Sequence, residues 1–389
     1  MKTGELQFDF ACPTRIAFGP GVIREAGRIA KTAGPRALVV MGRRAQPAER
    51  LVAILKESGV SGVAFSVPAE PELDTVRAGT ALAKREHCDH VIGIGGGSVL
   101  DAGKAVAAML ANEGDLLDYL EIIGQGKALT RPSARFIAIP TTAGTGSEVT
   151  RNSVLASPAH RLKVSLRSPF MVPWVALVDP ELTYDLPPEI TASTGLDALT
   201  QLIEPWVCTR ANPVTDALCR EGIPRAAHSL PRAFENGRDH AARQDMAVAS
   251  LFGGLALANA GLGAVHGFAG PLGGMFGAPH GALCAALLPH VMEINLQALR
   301  RRQPGSEAIV RYDEVARLLT GKAGASADDG VDWVRRLVAD LNIPRLGAYG
   351  ISREHTMEIV EKACNASSMK ANPIVLSPDE LAAAFESAL

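Results

Sequence analysis

The chain has 389 residues, 47% of them hydrophobic and 21% charged, with a mean hydropathy of +0.12. That is ample apolar material for a packed core and excludes a disordered chain. At roughly 100–200 residues per domain the length predicts two domains. Lys+Arg total 39 against Asp+Glu 41, a net charge of -2, which lacks the basic excess of a phosphate-backbone binder and argues against nucleic acid as a partner.

The start, MKTGELQFDFACPTRIAF, carries acidic residues where a signal peptide needs a basic start and an apolar core. Within it, residues 5–18 hold an apolar, strand-like stretch. Cys12, Cys88, Cys208, Cys219, Cys284 and Cys364 form no C-x-x-C pair, so reduced thiols and a cytoplasmic location are expected. No uninterrupted apolar run is long enough to span a bilayer, so no membrane partner is expected.

From residue 37 onward, short apolar runs alternate with helical patterns: Ala37–Gly42, Gly62–Val67, His90–Gly95, Phe136–Thr141 and Val175–Asp179. Several are apolar throughout, as strands buried on both faces of a parallel sheet are. Between the first two, Glu49–Gly59 places Leu51, Ile54 and Leu55 on one helical face and stops at a glycine. After Asp185–Ile190 the strand signal fades and helical spacing takes over. The expected fold is an α/β nucleotide-binding domain with a parallel sheet over residues 1–187 and an all-α domain over 188–389, with a cleft between them.

Two loops point to a nucleotide. His90–Gly95 leads through Gly95-Gly96-Gly97-Ser98 into a helix, with Ser98 in the N-cap position and Asp101 as a capping-box partner. Consecutive glycines make room for a bulky anion at the positive end of that helix. The spacing is not G-x-G-x-x-G, and GKA in place of GK[ST] excludes an ATP-type P-loop. Alone, GGGS could be a flexible turn. However, Phe136–Thr141 enters TTAGTGSEVT (Thr141–Thr150), a second small-residue loop at a strand's carboxyl end, where open α/β sheets bind ligands.

In the second half, Asp197 and Gln201 are four apart and share a helix face, with Leu199, Leu202 and Ile203 available for packing. His266, His280 and His290 are the histidines in the most apolar surroundings. Any one alone is more often a hydrogen-bonded core residue. Three imidazole or carboxylate groups plus a carbonyl could hold a divalent cation with one position open.

The set PTRIAFGPG, GGGSVLDAGK, IPTTAGTGSE, the Asp-Ala-Leu-Thr helix, VHG…PLG…PHG and Asn372-Pro373, in that order over nearly the whole chain, resembles the iron-containing (group III) alcohol dehydrogenases, with maleylacetate reductases and glycerol dehydrogenases as relatives. The resemblance implies the two-domain architecture of dehydroquinate synthase, with a divalent metal (iron or zinc) and the nicotinamide in the cleft. It implies metal ligands at Asp197, Gln201, His266 and His280, with Gln201 standing where the family has histidine; a neutral carbonyl oxygen holds iron or zinc more weakly than an imidazole does. Gly270 stands where many members have a histidine beside the substrate. Gly42 stands where NAD-using members have a ribose-binding aspartate. The following Arg43 and Arg44 would tolerate a 2′-phosphate, and Glu70 could supply the carboxylate instead, so NAD and NADP both stay open. Gly95, Gly96, Gly97, Ser98 and Asp101 would line the pyrophosphate; Thr141, Thr142, Thr145, Asn152 and Lys163 would face the ribose and nicotinamide.

The expected activity is NAD(P)-dependent interconversion of an alcohol and an aldehyde or ketone by hydride transfer. Asp197 and His266 are its principal catalytic candidates and a homodimer its expected assembly. Two alternatives remain at this stage: a metal-free oxo-acid reductase of the maleylacetate reductase type, orienting its substrate with Arg151 and Arg167, and a nucleotide-binding protein without turnover.

Overall fold

The computed structural model describes residues 7–389. The acidic start of the chain and the first two residues of the 5–18 stretch lie outside the described residues. The sheet strands are β1 (Arg15–Phe18), β2 (Arg36–Met41), β3 (Ser61–Ser66), β4 (His90–Gly95), β5 (Phe136–Pro140) and β8 (Val175–Val178), with a hairpin of β6 (Asn152–Ser157) and β7 (Leu162–Arg167) inserted before β8. The first half also holds helices α1 (Ala26–Ala33), α2 (Ala45–Glu57), α3 (Leu73–Arg85), α4 (Gly97–Ala111) and α5 (Leu116–Tyr119).

All six sheet strands run parallel, in the order β1-β8-β5-β4-β2-β3. Strands β2 and β4 are apolar throughout because both their faces are covered. Val39, Ile92 and Ile94 pack with Ile29, Leu51 and Leu55 of α1 and α2. Leu38, Val40 and Val91 pack with Val76, Leu100 and Val106 of α3 and α4. The chain goes from β2 out to β3 and then crosses back to β4 on the other side of β2. The crevice beyond the carboxyl ends of β2 and β4 is therefore the topological switch point where such sheets bind ligands.

The five anticipated strands all form, within a residue or two of their expected bounds. The stretch 5–18 contributes β1, a sheet edge paired with β8 alone. The β6–β7 hairpin was not anticipated, although its alternation is plain in hindsight. Ser153, Leu155, Ser157, Val164 and Leu166 are buried between outward-facing neighbours.

From Pro188 onward the chain is helical, with no strand among the described residues: α6 (Pro188–Val207), α7 (Pro213–Glu235), α8 (His240–Asn259), α9 (Ala264–Phe276), α10 (His280–Arg302), α11 (Glu307–Thr320), α12 (Ala327–Asp340), α13 (Thr356–Asn365) and α14 (Pro378–Ser387). Helix α10 has the length and hydropathy of a membrane span, but 78% of that window is buried in the protein. Its apolar surface forms the centre of the helical core with Leu199, Leu202 and Ile203 of α6 and Phe268 of α9. The two halves meet where Gly146, in the second small-residue loop, takes φ +60° and lies so close to Gly254 of α8 that a Cβ would come within 2.3 Å of that backbone. Only glycine satisfies both demands.

Candidate active site: two loops and a donor cluster

At the end of β4 the N-cap of α4 is Gly96, not Ser98, which is the second residue of the helix, and no side chain caps it. The cap comes two residues earlier than expected because Gly96 is extended, at φ -75° and ψ -174°, and helical geometry begins at once at Gly97. The first N–H groups of α4 are thus free of side-chain competitors and available to an anion. The loop after β5 closes over them: a Cβ on Gly96 would lie 3.4 Å from Thr142 Cγ2, and one on Gly97 2.7 Å from Thr145 Cγ2. Gly42, at the end of β2, faces Val99 of α4 at 3.3 Å in the same sense. The buried Thr141 donates its N–H to Gly95 O at 2.9 Å, locking the two loops in register.

Asp101 does not cap α4. Its carboxylate accepts hydrogen bonds from Ser147 Oγ (2.6 Å) and Val154 N (3.0 Å) and pairs with Lys104 Nζ (3.1 Å), joining the helix to the second loop and the hairpin. Lys104 is fully buried, and burial lowers its pKa against the pull of Asp101. Burial raises nearby Glu148 to about 7. Glu70 and Lys163, expected separately, meet as an ion pair at 2.5 Å. The Lys163 side chain is only 8% exposed and lies against Gly273 of α9, so it is no surface cation. Asn152 opens β6 opposite Arg167. Arg151 and Arg167 are exposed, and neither belongs to the donor cluster. Arg44 has a buried Nη1 without a hydrogen-bond partner.

Across the cleft, three helices converge. Asp197 on α6, His266 on α9 and His280 at the start of α10 come together, with Gln201 one turn beyond Asp197 on α6. The Nε2 atoms of His266 and His280 lie 3.4 and 3.8 Å from Asp197 Oδ1. Asp197 Oδ1 and Gln201 Oε1 are buried without any hydrogen-bond partner. Two buried oxygens without partners, one of them facing a histidine pair, are costly unless something positive sits beside them. The donor set therefore fits a divalent cation.

Three contributors had escaped notice. Glu204, one turn beyond Gln201 on the same face of α6, accepts from His266 Nδ1 at 2.6 Å and from Val265 N at 2.8 Å. This fixes the ring with Nε2 toward Asp197, the orientation a carboxylate imposes on a metal-binding histidine. Its sequence signal was the seven-residue spacing from Asp197. Asn372, of the Asn-Pro pair, accepts from Ala264 N at 3.0 Å and so anchors the start of α9. Cys284 lies one turn after His280, its Sγ 3.7 Å from His280 Nε2 and 3.8 Å from His266 Nε2.

Burial pushes the His266 imidazole down, but Cys284, Asp197 and Glu204 overcome it and raise its pKa well above the ordinary histidine value. Burial lowers His280 to about 4, so it is a neutral ligand at neutral pH. His290 lies outside this cluster, neutral by burial with a pKa of about 4. The most buried histidine is instead His90, at 0% exposure. Gly270, one turn beyond His266, has open space where a Cβ would be.

Comparison with known proteins identifies the family. Residues 13–180 match the model described as iron-containing alcohol dehydrogenase, and 191–389 the C-terminal model of the Fe-containing alcohol dehydrogenase family. The chain is 36% identical to the 1,3-propanediol dehydrogenase of Klebsiella pneumoniae over 394 residues, covering 98% of each chain. A crystal structure of 1,3-propanediol oxidoreductase superposes with a TM-score of 0.91 at 35% identity, over 98% of this chain and 100% of that one. A sulfoacetaldehyde reductase from Bifidobacterium kashiwanohense, solved in complex with NAD+, does so with a TM-score of 0.86 at 30% identity, over 98% of each. The chain belongs to the iron-containing alcohol dehydrogenase family and is an alcohol oxidoreductase of that family.

Proposed function

We propose that the protein interconverts a small alcohol and its aldehyde or ketone, using NAD(H) or NADP(H) and a divalent metal, in the cleft between an α/β unit (1–187) and a helical unit (188–389). The observation that carries this reading is the buried, orphaned Asp197 Oδ1 facing His266 and His280, with a second orphaned oxygen, Gln201 Oε1, one turn away on the same helix. When bound, the nicotinamide supplies or accepts hydride and the cation polarises the carbonyl oxygen. Asp197 contributes the negative charge of the site, and His266 and His280 contribute imidazole donors. Glu204 holds the His266 ring in place.

The free N–H groups at Gly97 and Ser98 receive the pyrophosphate, and the Thr142 and Thr145 methyl groups wall it in. Lys163, held by Glu70, brings its charge to the nicotinamide side near His280. Gly42 offers no carboxylate to repel a 2′-phosphate, and the unpartnered Arg44 Nη1 offers a donor, which supports acceptance of NADP. The relatives' reactions and the exposure of Arg151 and Arg167 give the oxo-acid reading no support.

We place this enzyme in the cytoplasm, consistent with six free cysteines, and as a homodimer formed along the open edge of β1. Light scattering on the purified chain checks the assembly. The deciding experiment assays short alcohols and aldehydes with each nucleotide before and after chelation, with zinc and iron added back separately. Turnover lost on chelation and restored by a metal is expected; turnover indifferent to chelation overturns the metal.

A further inference from the structure

The donor cluster contains one more strong ligand than the proposed reading uses. We propose that Cys284 binds the metal directly as a thiolate, which makes the site Asp197, His266, His280 and Cys284 and suits it to zinc. This inference rests on the reading that the cleft holds a divalent metal.

Four donor separations define the case. Asp197 Oδ1 lies 3.4 Å from His266 Nε2 and 3.8 Å from His280 Nε2, while Cys284 Sγ lies 3.8 and 3.7 Å from those same nitrogens. All four donor atoms lie within 4.8 Å of one another. A tetrahedral zinc ion, with nitrogen or oxygen at about 2.0–2.1 Å and sulfur at about 2.3 Å, has donor-to-donor edges of roughly 3.3–3.6 Å. The four separations given lie within a few tenths of an ångström of those edges, and the remaining two are no longer than 4.8 Å.

Backbone placement explains why the sulfur arrives there. His280 opens α10 and Cys284 follows one turn later on the same face, so both are presented together. Cys284 is fully buried, and both imidazoles lie within hydrogen-bonding reach of its sulfur. Asp197 Oδ1 is buried, unpartnered and part of the same four-donor group.

Gln201 then takes a different role. Its carbonyl oxygen is neutral and the weakest donor of the five, so it stands outside the tetrahedron as an acceptor, and a substrate oxygen would add as a fifth ligand. Two anionic donors, aspartate and thiolate, balance a dication, and the thiolate favours zinc over the harder oxygen-seeking metals. Binding displaces the thiol proton to solvent.

The test uses the full chain, chelated and then reconstituted with zinc alone or cobalt(II) alone. Zinc-edge X-ray absorption should show one sulfur scatterer at about 2.3 Å, and the cobalt protein a thiolate-to-metal charge-transfer band in the near ultraviolet. Cys284→Ser should abolish both signals and weaken zinc by about 100-fold, at least the upper end of what loss of an outer-shell partner costs. Gln201→Ala should keep both signals and weaken zinc by less than about tenfold.

Stoichiometric zinc bound only through nitrogen and oxygen, or a Cys284→Ser variant that binds zinc as tightly as the parent, overturns the thiolate and leaves the metal reading standing. A wild-type chain that binds neither metal overturns both. Should Cys284→Ser fail to fold, X-ray absorption on the unaltered chain decides alone.

Discussion

The two walls of the cleft are built on opposite principles. On the α/β side the site consists of backbone and small side chains: Gly96, Gly97, Thr142 and Thr145 leave a space shaped by what a Cβ would fill. The side chains around it are already paired, Asp101, Ser147, Lys104 and Thr150 bonding one another, so what is left for a ligand is chiefly the backbone N–H groups at the start of α4. On the helical side the site consists of side chains from α6, α9 and α10 whose strongest groups lack partners, Asp197 Oδ1 and Gln201 Oε1 above all. One wall offers backbone donors and the other unpaired side chains. Ligand removal should therefore be felt very unequally across the cleft, and substitutions on the two sides should separate into nucleotide defects and metal defects.

The largest expected effect is at Asp197. Asp197→Asn removes the only carboxylate facing both imidazoles, and a cation's contribution of several kcal/mol to carbonyl polarisation goes with it. Turnover should fall by about a thousandfold or more, with metal absent by mass spectrometry and nucleotide affinity by fluorescence titration within a factor of a few. A parallel loss of nucleotide affinity would mean that the walls are not independent.

The mirror experiment is Gly97→Val. A Cβ there already lies 2.7 Å from Thr145 Cγ2, and branching makes the conflict worse. The nucleotide KM should rise by about 10–100-fold, since roughly 1.4–2.7 kcal/mol of anion binding depends on that approach, while metal content stays at the parent level.

Glu204→Gln tests the link between His266 and the rest of the helical wall. The glutamine can still accept from Val265 N, but it no longer offers a charged partner to His266 Nδ1. Metal affinity should drop by about 10–100-fold by competition with a chromogenic chelator. The same wall should show a proton competition that the loops lack. His266, raised well above its ordinary value, is protonated at neutral pH in the metal-free protein, whereas His280, lowered to about 4, is already neutral. A cation must displace the His266 proton, and the Cys284 proton where the thiolate binds, so its apparent affinity should climb by at least several-fold per pH unit from neutral upward. A flat profile would mean that neither group gives up a proton to the cation.

The same contrast explains what could be read from the residues alone. The strands and both loops were legible because they are local: a buried parallel strand is a run of apolar residues, and a phosphate turn is a run of glycines after it. The start of α4 was misplaced from Gly96 to Ser98 because three glycines leave several equivalent starting points and only the backbone angles choose. Asp197, Gln201, His266 and His280 stood out by residue type. Glu204 and Cys284 did not, because a glutamate and a cysteine on apolar helices acquire meaning only when α6, α9 and α10 bring them to the same ion. Glu204 lies seven residues from Asp197 and Cys284 four from His280, so helical spacing held the signal, but nothing local distinguished them from ordinary packing positions.

The smallest expected effect is also the most informative about chemistry. Gly270 is one turn beyond His266 on α9, and nothing lies within 4 Å of where its Cβ would be. Gly270→His should fold with unchanged metal content, because the new side chain enters open space and not the core. Its imidazole would be the one titrating group added to that part of the cleft, with an ordinary pKa near ~6.5. The kcat profile for aldehyde reduction should then acquire a limb in that range, rising toward acid as the imidazolium becomes available to donate a proton, with a change of only a few-fold at neutral pH. An unaltered profile would show that protons already reach the substrate by a route that bypasses position 270.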